Sequence, residues 1–181
     1  MTKKEINVLD YAGEILKRVN QGVLLTTKVG DRVNTMAISW GTLGIEWNRF
    51  IFTTFVRQGR FTREQLDKNP EFVISIPQGE YDKKIIGFCG SHSGRDTDKI
   101  KAMNLTLVKS DKVSVPAIKE LPLTLECKVA YHQLQDVDAI NNEQWRKSCY
   151  PQDKPSTFSG ANRDAHIAFY GEIVKAYIIE D

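Results

Sequence analysis

The chain is short of the residues that most directly advertise chemistry. Among its 181 residues are three cysteines and three histidines. Cys89, Cys127 and Cys149 lie far apart and form no C-x-x-C pair. Zinc therefore has no spacing signature, a disulfide framework is not expected, and a reduced, cytoplasmic compartment fits best. No window approaches the roughly 18 apolar residues of a membrane-spanning helix. Met1 to Glu5 leads into an amphipathic stretch rather than an apolar signal core. A surplus of one charge is missing as well: 25 Lys+Arg against 23 Asp+Glu leaves +2, too balanced to point to nucleic acid or an anionic membrane surface. Repeats, low-complexity tracts and linker-like shifts are absent, so residues 1–181 are read as one domain. No Ser-His-Asp or paired-carboxylate arrangement stands out. A chain this poor in reactive groups of its own suits chemistry done by a cofactor.

What is there is strand-rich. Leu9, Ala12, Ile15, Leu16 and Val19 recur at helical spacing and predict a helix over about 8–20, ended by Gly22. Strands are expected over 23–29, 32–40, 47–56 and 71–76, with 41–46 as a connection. Thr62 followed by Gln65 has the pattern of a capping box opening a short helix. Helices are expected over 81–88 and 96–103, separated by a polar, Gly-bearing stretch. Residues 121–134 alternate Leu123, Leu125, Cys127, Val129 and Tyr131 with polar partners, as in a long half-buried strand. Residues 141–164 read as a helix-loop excursion, and 167–179 as a last strand. At least six strands joined mostly by short turns imply a mainly β (α+β) fold, a closed or partly closed antiparallel barrel with short inserted helices. A doubly wound parallel sheet is disfavoured, because regular strand–helix alternation and a Gly-rich phosphate turn are both missing.

Five places can carry chemistry. Arg57-Gln58-Gly59-Arg60-Phe61-Thr62 joins an apolar strand to a helix start, and two guanidiniums beside unpaired backbone N–H groups suit a phosphate. Such a loop with two solvated arginines is also commonplace. On the strand from Asn34 to Gly41, Thr35, Ala37 and Ser39 form a small-side-chain face open to a flat ring, although a solvated barrel face has the same pattern. Cys89 to Asp96 sets two serines and two glycines near Arg95, a wall for an anionic or polar heterocycle. Cys89 itself reads better as a buried structural thiol than as a nucleophile. His166 and His132 can each hydrogen-bond a ligand or move a proton near neutral pH, but lone histidines are more often structural.

Five segments in order, Asn34 to Trp40, Phe55 to Thr62, Asn69 to Pro77, Cys89 to Lys99 and His166 to Glu172, resemble the flavin reductase-like family, and most of all its flavoredoxin-type branch. The resemblance runs from about residue 8 to the C-terminus. It implies an FMN-binding split β-barrel with Greek-key connections. It also implies a homodimer with FMN near the subunit interface, and hydride transfer from NADH or NADPH to FMN or electron transfer through it. By the same resemblance, Asn34, Thr35, Ser39 and Trp40 line the isoalloxazine and ribityl chain. Arg57, Arg60, Phe61 and Thr62 form the phosphate side. Cys89, Gly90, Ser91, Ser93, Gly94 and Arg95 close over the flavin, and His166 precedes the final strand. Arg95 and His166 are the candidates for the flavin's pyrimidine edge, where negative charge grows on reduction. His132 matches no motif. Gln58-Gly59 and Phe61 depart from the family's usual Pro or Ser and Tyr, and loss of that phenol bears on FMN affinity.

Three functions stay open at this level: an NAD(P)H:flavin oxidoreductase, an FMN-bearing electron carrier serving an electron-transfer partner protein, and a non-catalytic barrel for some other phosphorylated ligand.

Overall fold

Val8, Ile15 and Val19 fall on one face of the first helix and pack into the main core, so the amphipathic N-terminal pattern becomes α1 (Val8–Gln21). The computed structural model describes residues 1–153 and 163–181. A short strand, β1 (Thr2–Glu5), precedes α1. After it come β2 (Val23–Val29), β3 (Arg32–Ile38), β4 (Gly41–Glu46) and β5 (Arg49–Arg57). Then follow α2 (Phe61–Leu66), β6 (Glu71–Ile76), α3 (Lys83–Ser91) and α4 (Lys99–Ala102). A small hairpin, β7 (Leu107–Val108) and β8 (Ala117–Ile118), leads to β9 (Leu123–Leu134), α5 (Glu143–Cys149) and β10 (His166–Glu180).

The main sheet runs β3-β2-β6-β9-β10-β5-β4, with β1 added to β10, and each of these pairings is antiparallel. Its two ends, β3 and β4, are consecutive in sequence, separated by Ser39 and Trp40. Three Cα steps reach at most roughly 11 Å, so the sheet has to curl until its edges meet. The product is a barrel split between β3 and β4. The split fixes the position of the functional site, because β3 is hydrogen-bonded on one side and presents its other backbone edge outward.

β2 and β6 carry apolar residues on both faces because both faces are covered there. On β2, Val23 and Leu25 enter the barrel core, whereas Leu24 joins an outer cluster with Ile85, Cys89, Leu105, Ile118 and Leu121. On β6, Phe72, Ile74 and Ile76 face the core, and Val73 packs outward with Val115 and Tyr177. The Leu24 cluster seats α3 on the outside of β2 and β3, and this packing carries the Cys89–Arg95 segment to the site.

Several expectations change. Residues 41–46 form β4 rather than a connection. Trp47 and Asn48 make the β4–β5 turn, with φ of 51° and 56°, the double left-handed geometry of a two-residue hairpin. β1 and the β7–β8 hairpin carry too little periodicity to be read in advance. The capping box does not form: Arg60 is the N-cap of α2 and makes no side-chain cap bond, while Gln65 turns to accept from the Thr27 hydroxyl at 2.6 Å. The 141–164 excursion does contain a helix, α5, and its 154–162 portion lies outside the described residues. Among the described residues, no helix is long and apolar enough to cross a membrane.

Candidate functional site

Two cavities share the outer edge of β3. The larger, about 460 Å³, lies among β3, the turn into α2 and the segment from the end of α3 to α4; Asn34, Arg60, Thr62, Gly90, Gly94 and Lys99 are among its walls. The smaller, about 140 Å³, continues toward the end of β3, lined by Ser39, Trp40, Phe55, Arg57 and His166. Met36, Ala37 and Arg60 belong to both, so the two form one trough along the strand.

Asn34 ties the trough together. It is buried, and its Nδ2 donates to Thr62 Oγ1 at 2.9 Å, joining β3 to α2. Its Oδ1 is buried with no hydrogen-bond partner among the described residues and lies against Gly94. A Cβ at Gly94 would come within 2.0 Å of that oxygen and 3.0 Å of the Phe61 ring, so only glycine lets this loop approach β3. Gly90 is tight as well: a Cβ there would sit 3.2 Å from the Ala37 side chain.

Arg57, Arg60, Arg95 and Lys99 all line the trough. Arg57 and Arg95 hold the protein together. The Arg57 guanidinium donates to the carbonyls of Asp164 at 2.7 Å and Cys149 at 2.6 Å and lies 5.0 Å over the Tyr150 ring, and burial lowers its pKa. Arg57 thus clamps the segments flanking α5 and β10 while also lining the smaller cavity. Arg95 pairs with Glu64 on α2 and donates to the Gly59 carbonyl at 3.0 Å, pinning the 93–96 loop to α2. Arg95 lines the larger cavity whereas His166 lines the smaller.

Arg60 and Lys99 face the trough differently. Arg60 touches both cavities. Lys99, only 4% exposed, donates through Nζ to the carbonyls of Cys89 at 3.2 Å and His92 at 3.1 Å. Among the described residues no ion pair includes it. Burial, and then the nearby Arg60 charge, pull its pKa down to about 8 against the opposing influence of Cys89. A buried ammonium compensated only by carbonyl dipoles is costly, and an anion beside it removes that cost. With α2 only six residues long, these side chains rather than a helix end supply the positive potential.

His166 is buried. Its Nδ1 lies 2.8 Å from the Tyr150 hydroxyl, and the Trp40 ring packs on it with centroids 4.9 Å apart. Burial first, then the charge of Arg57, lower its pKa to about 4. The imidazole is therefore neutral at pH 7 and available as a hydrogen-bonding group. Cys89 is a buried thiol with its pKa raised by desolvation, in keeping with a packing role.

Most of the residues singled out from sequence do converge on the trough: Asn34, Arg60, Phe61, Thr62, Cys89, Gly90, Ser93, Gly94 and Arg95 at the larger end, Ser39, Trp40, Arg57 and His166 at the smaller. Thr35 does not; its hydroxyl turns inward to Thr26 at 3.1 Å. Ser91 does not either, because its hydroxyl donates to the Gly87 carbonyl at 2.9 Å within α3. His132 stacks on Phe169, with ring centroids 5.6 Å apart, and lines neither of the two cavities. Sequence reasoning missed Met36, His92 and Lys99. Lys99 follows the acidic, helix-opening Asp96-Thr97-Asp98, a context that reads as solvated, yet it is buried.

The trough can hold an elongated ligand with an anionic end near Arg60 and Lys99 and a flat portion toward Trp40 and His166. Comparison with known proteins identifies the family. The family model described as "Flavin reductase like domain" matches residues 16–181. An uncharacterized protein of Pyrococcus abyssi is 36% identical over 106 residues, and the match spans 59% of this chain and 59% of that protein. Among solved structures, a flavoredoxin from Methanosarcina acetivorans is similar with a TM-score of 0.61 and 25% identity, over 88% of this chain and 68% of the other. An FMN-binding protein from Thermus thermophilus gives 0.62 and 21%, over 88% and 71%. With a family model covering the barrel and every wall of the trough, the chain belongs to the flavin reductase-like family.

Proposed function

We propose that this chain is an FMN-binding flavoprotein, an oxidoreductase that passes hydride from NADH or NADPH to FMN. The observation that carries the reading is Lys99: a buried ammonium without a carboxylate partner among the described residues, beside Arg60, in the wall of a 460 Å³ cavity. That donor set fits a phosphate monoester. FMN, when bound, supplies the hydride-accepting ring. Arg60 and Lys99 hold its phosphate, and Gly90 and Gly94 allow backbone to approach it closely. Met36 to Trp40 offer the edge of β3 to the ring, and neutral His166 offers a fixed hydrogen-bonding group without adding charge. Arg57 and Arg95 keep the two ends of the trough rigid, which serves a reaction that is chiefly a matter of alignment.

A homodimer is part of the proposal. Trp47, Tyr131 and Tyr170 cluster with ring centroids 5.3–6.5 Å apart, and Trp47 and Tyr131 are 56% and 43% exposed. An exposed aromatic patch of this kind suits a protein interface. A reduced, cytoplasmic setting agrees with Cys89 and Cys127 being buried and unpaired.

The likeness to flavoredoxin favours one second reading, an electron carrier whose FMN is not turned over by nicotinamide nucleotides. Anaerobic mixing of the FMN-loaded protein with NADH and with NADPH separates the two. Bleaching with repeated turnover on added flavin is the expected result for the reductase; no bleaching with either nucleotide assigns the carrier.

A further inference from the structure

Tyr150 is the C-cap of α5 and comes from the excursion preceding β10, a part of the chain with no role in the trough lining described above. Its hydroxyl has one proton and, among the described residues, two hydrogen-bonding neighbours, His166 Nδ1 at 2.8 Å and Gln135 Oε1 at 3.4 Å. The first distance is an ordinary hydrogen bond and the second lies beyond the usual O–H···O range, so Nδ1 is the better-placed acceptor for that proton. Both residues are 6% exposed, leaving little room for water to rearrange the pair. Arg57 lies over the Tyr150 ring at 5.0 Å, and Trp40 packs against the imidazole, so both rings are fixed in orientation. Protonating the imidazole is opposed by burial and by the charges of Arg57 and Arg60, with Asp164 acting the other way.

We propose that Tyr150 is a positioning residue that holds His166 as its Nε2–H tautomer. A neutral imidazole that accepts at Nδ1 must carry its proton on Nε2. His166 lines the smaller cavity whereas Tyr150 lines neither, and with Nδ1 engaged by Tyr150 the ring nitrogen left for a ligand is Nε2. Tyr150 thereby determines that the Trp40 end of the trough meets a hydrogen-bond donor rather than an acceptor. A donor there favours a ring atom that gains electron density on reduction, and this consequence rests on the flavin reading above.

The tautomer is tested without any cofactor. Protein labelled with ¹⁵N at histidine, free of FMN at pH 7.5, is examined by long-range ¹H–¹⁵N correlation. His166 is expected to show an unprotonated Nδ1 and a protonated Nε2. Tyr150→Phe, with the rest of the backbone spectrum retained, is expected to move it toward a mixture of tautomers. A protonated Nδ1 in the unaltered chain overturns the proposal, and this measurement needs no variant to fold. An unchanged tautomer in a folded Tyr150→Phe chain overturns it as well. FMN affinity and midpoint potential are then measured on both proteins. A shift to more negative potential at equal affinity is expected, and an equal potential removes the functional consequence. Absence of FMN binding by the unaltered chain contradicts the flavin reading while leaving the tautomer result standing.

Discussion

The side-chain amide of Asn34 donates to the Thr62 hydroxyl at 2.9 Å inside the protein, fastening the outer edge of the barrel to the helix that follows the arginine-bearing turn. This bond couples stability to site geometry, since Asn34 is also the residue against which Gly94 closes. Thr62→Val keeps the shape but leaves a buried N–H unpaired. Loss of about 1–3 kcal/mol is expected, read as a lower urea midpoint, together with weaker ligand binding. An unchanged midpoint would show that the amide finds another acceptor.

Arg60 is expected to act on the phosphate and not on the ring. Arg60→Ala should weaken FMN by roughly tenfold or more while leaving riboflavin affinity nearly unaltered, because a hydrogen bond to a charged group contributes about 1.5–3 kcal/mol. Fluorescence titration with the two flavins reads the difference. Equal losses for both place Arg60 away from the phosphate.

Lys99 gives a pH signature to the cofactor-free protein. Its pKa is about 8 in the fold, against an ordinary 10.5 when exposed. Between those values the unfolded chain retains a proton that the folded chain has lost. The Lys99 contribution therefore makes stability rise with pH from about 8 to 10.5, by up to roughly 3 kcal/mol. Below pH 8 the penalty of the buried charge is present in full. Denaturant titrations across this window, comparing the unaltered chain with Lys99→Met, isolate the effect. The stability difference between the two should change in this direction, and FMN should reduce the change by holding the ammonium charged. A difference independent of pH contradicts the buried-cation account.

The barrel was legible because its strands are long, apolar and punctuated by turn residues. The 71–76 and 121–134 patterns map closely onto β6 and β9. β4 was hidden because Gly41 and Gly44 weaken its alternation and much of it is exposed, so the strand is held by pairing with β5 rather than by its own pattern. At the site, residue types located the trough, but bonding partners decided roles. Arg57 and Arg60 are three positions apart and indistinguishable by type; that Arg57 also binds the carbonyls of Cys149 and Asp164, distant in sequence, is visible only in the fold. Thr35 lines neither cavity, its hydroxyl meeting that of Thr26 across the β2–β3 pair. Lys99 was overlooked because nothing local to a lysine reveals that its carbon stem and amine will be covered.

The most direct test of the account is to titrate the purified chain with FMN and then mix it anaerobically with NADH or NADPH while following flavin absorbance. The account predicts stoichiometric uptake of FMN, weaker binding of riboflavin, and bleaching of the bound flavin by at least one nucleotide. A folded chain that takes up no FMN contradicts it.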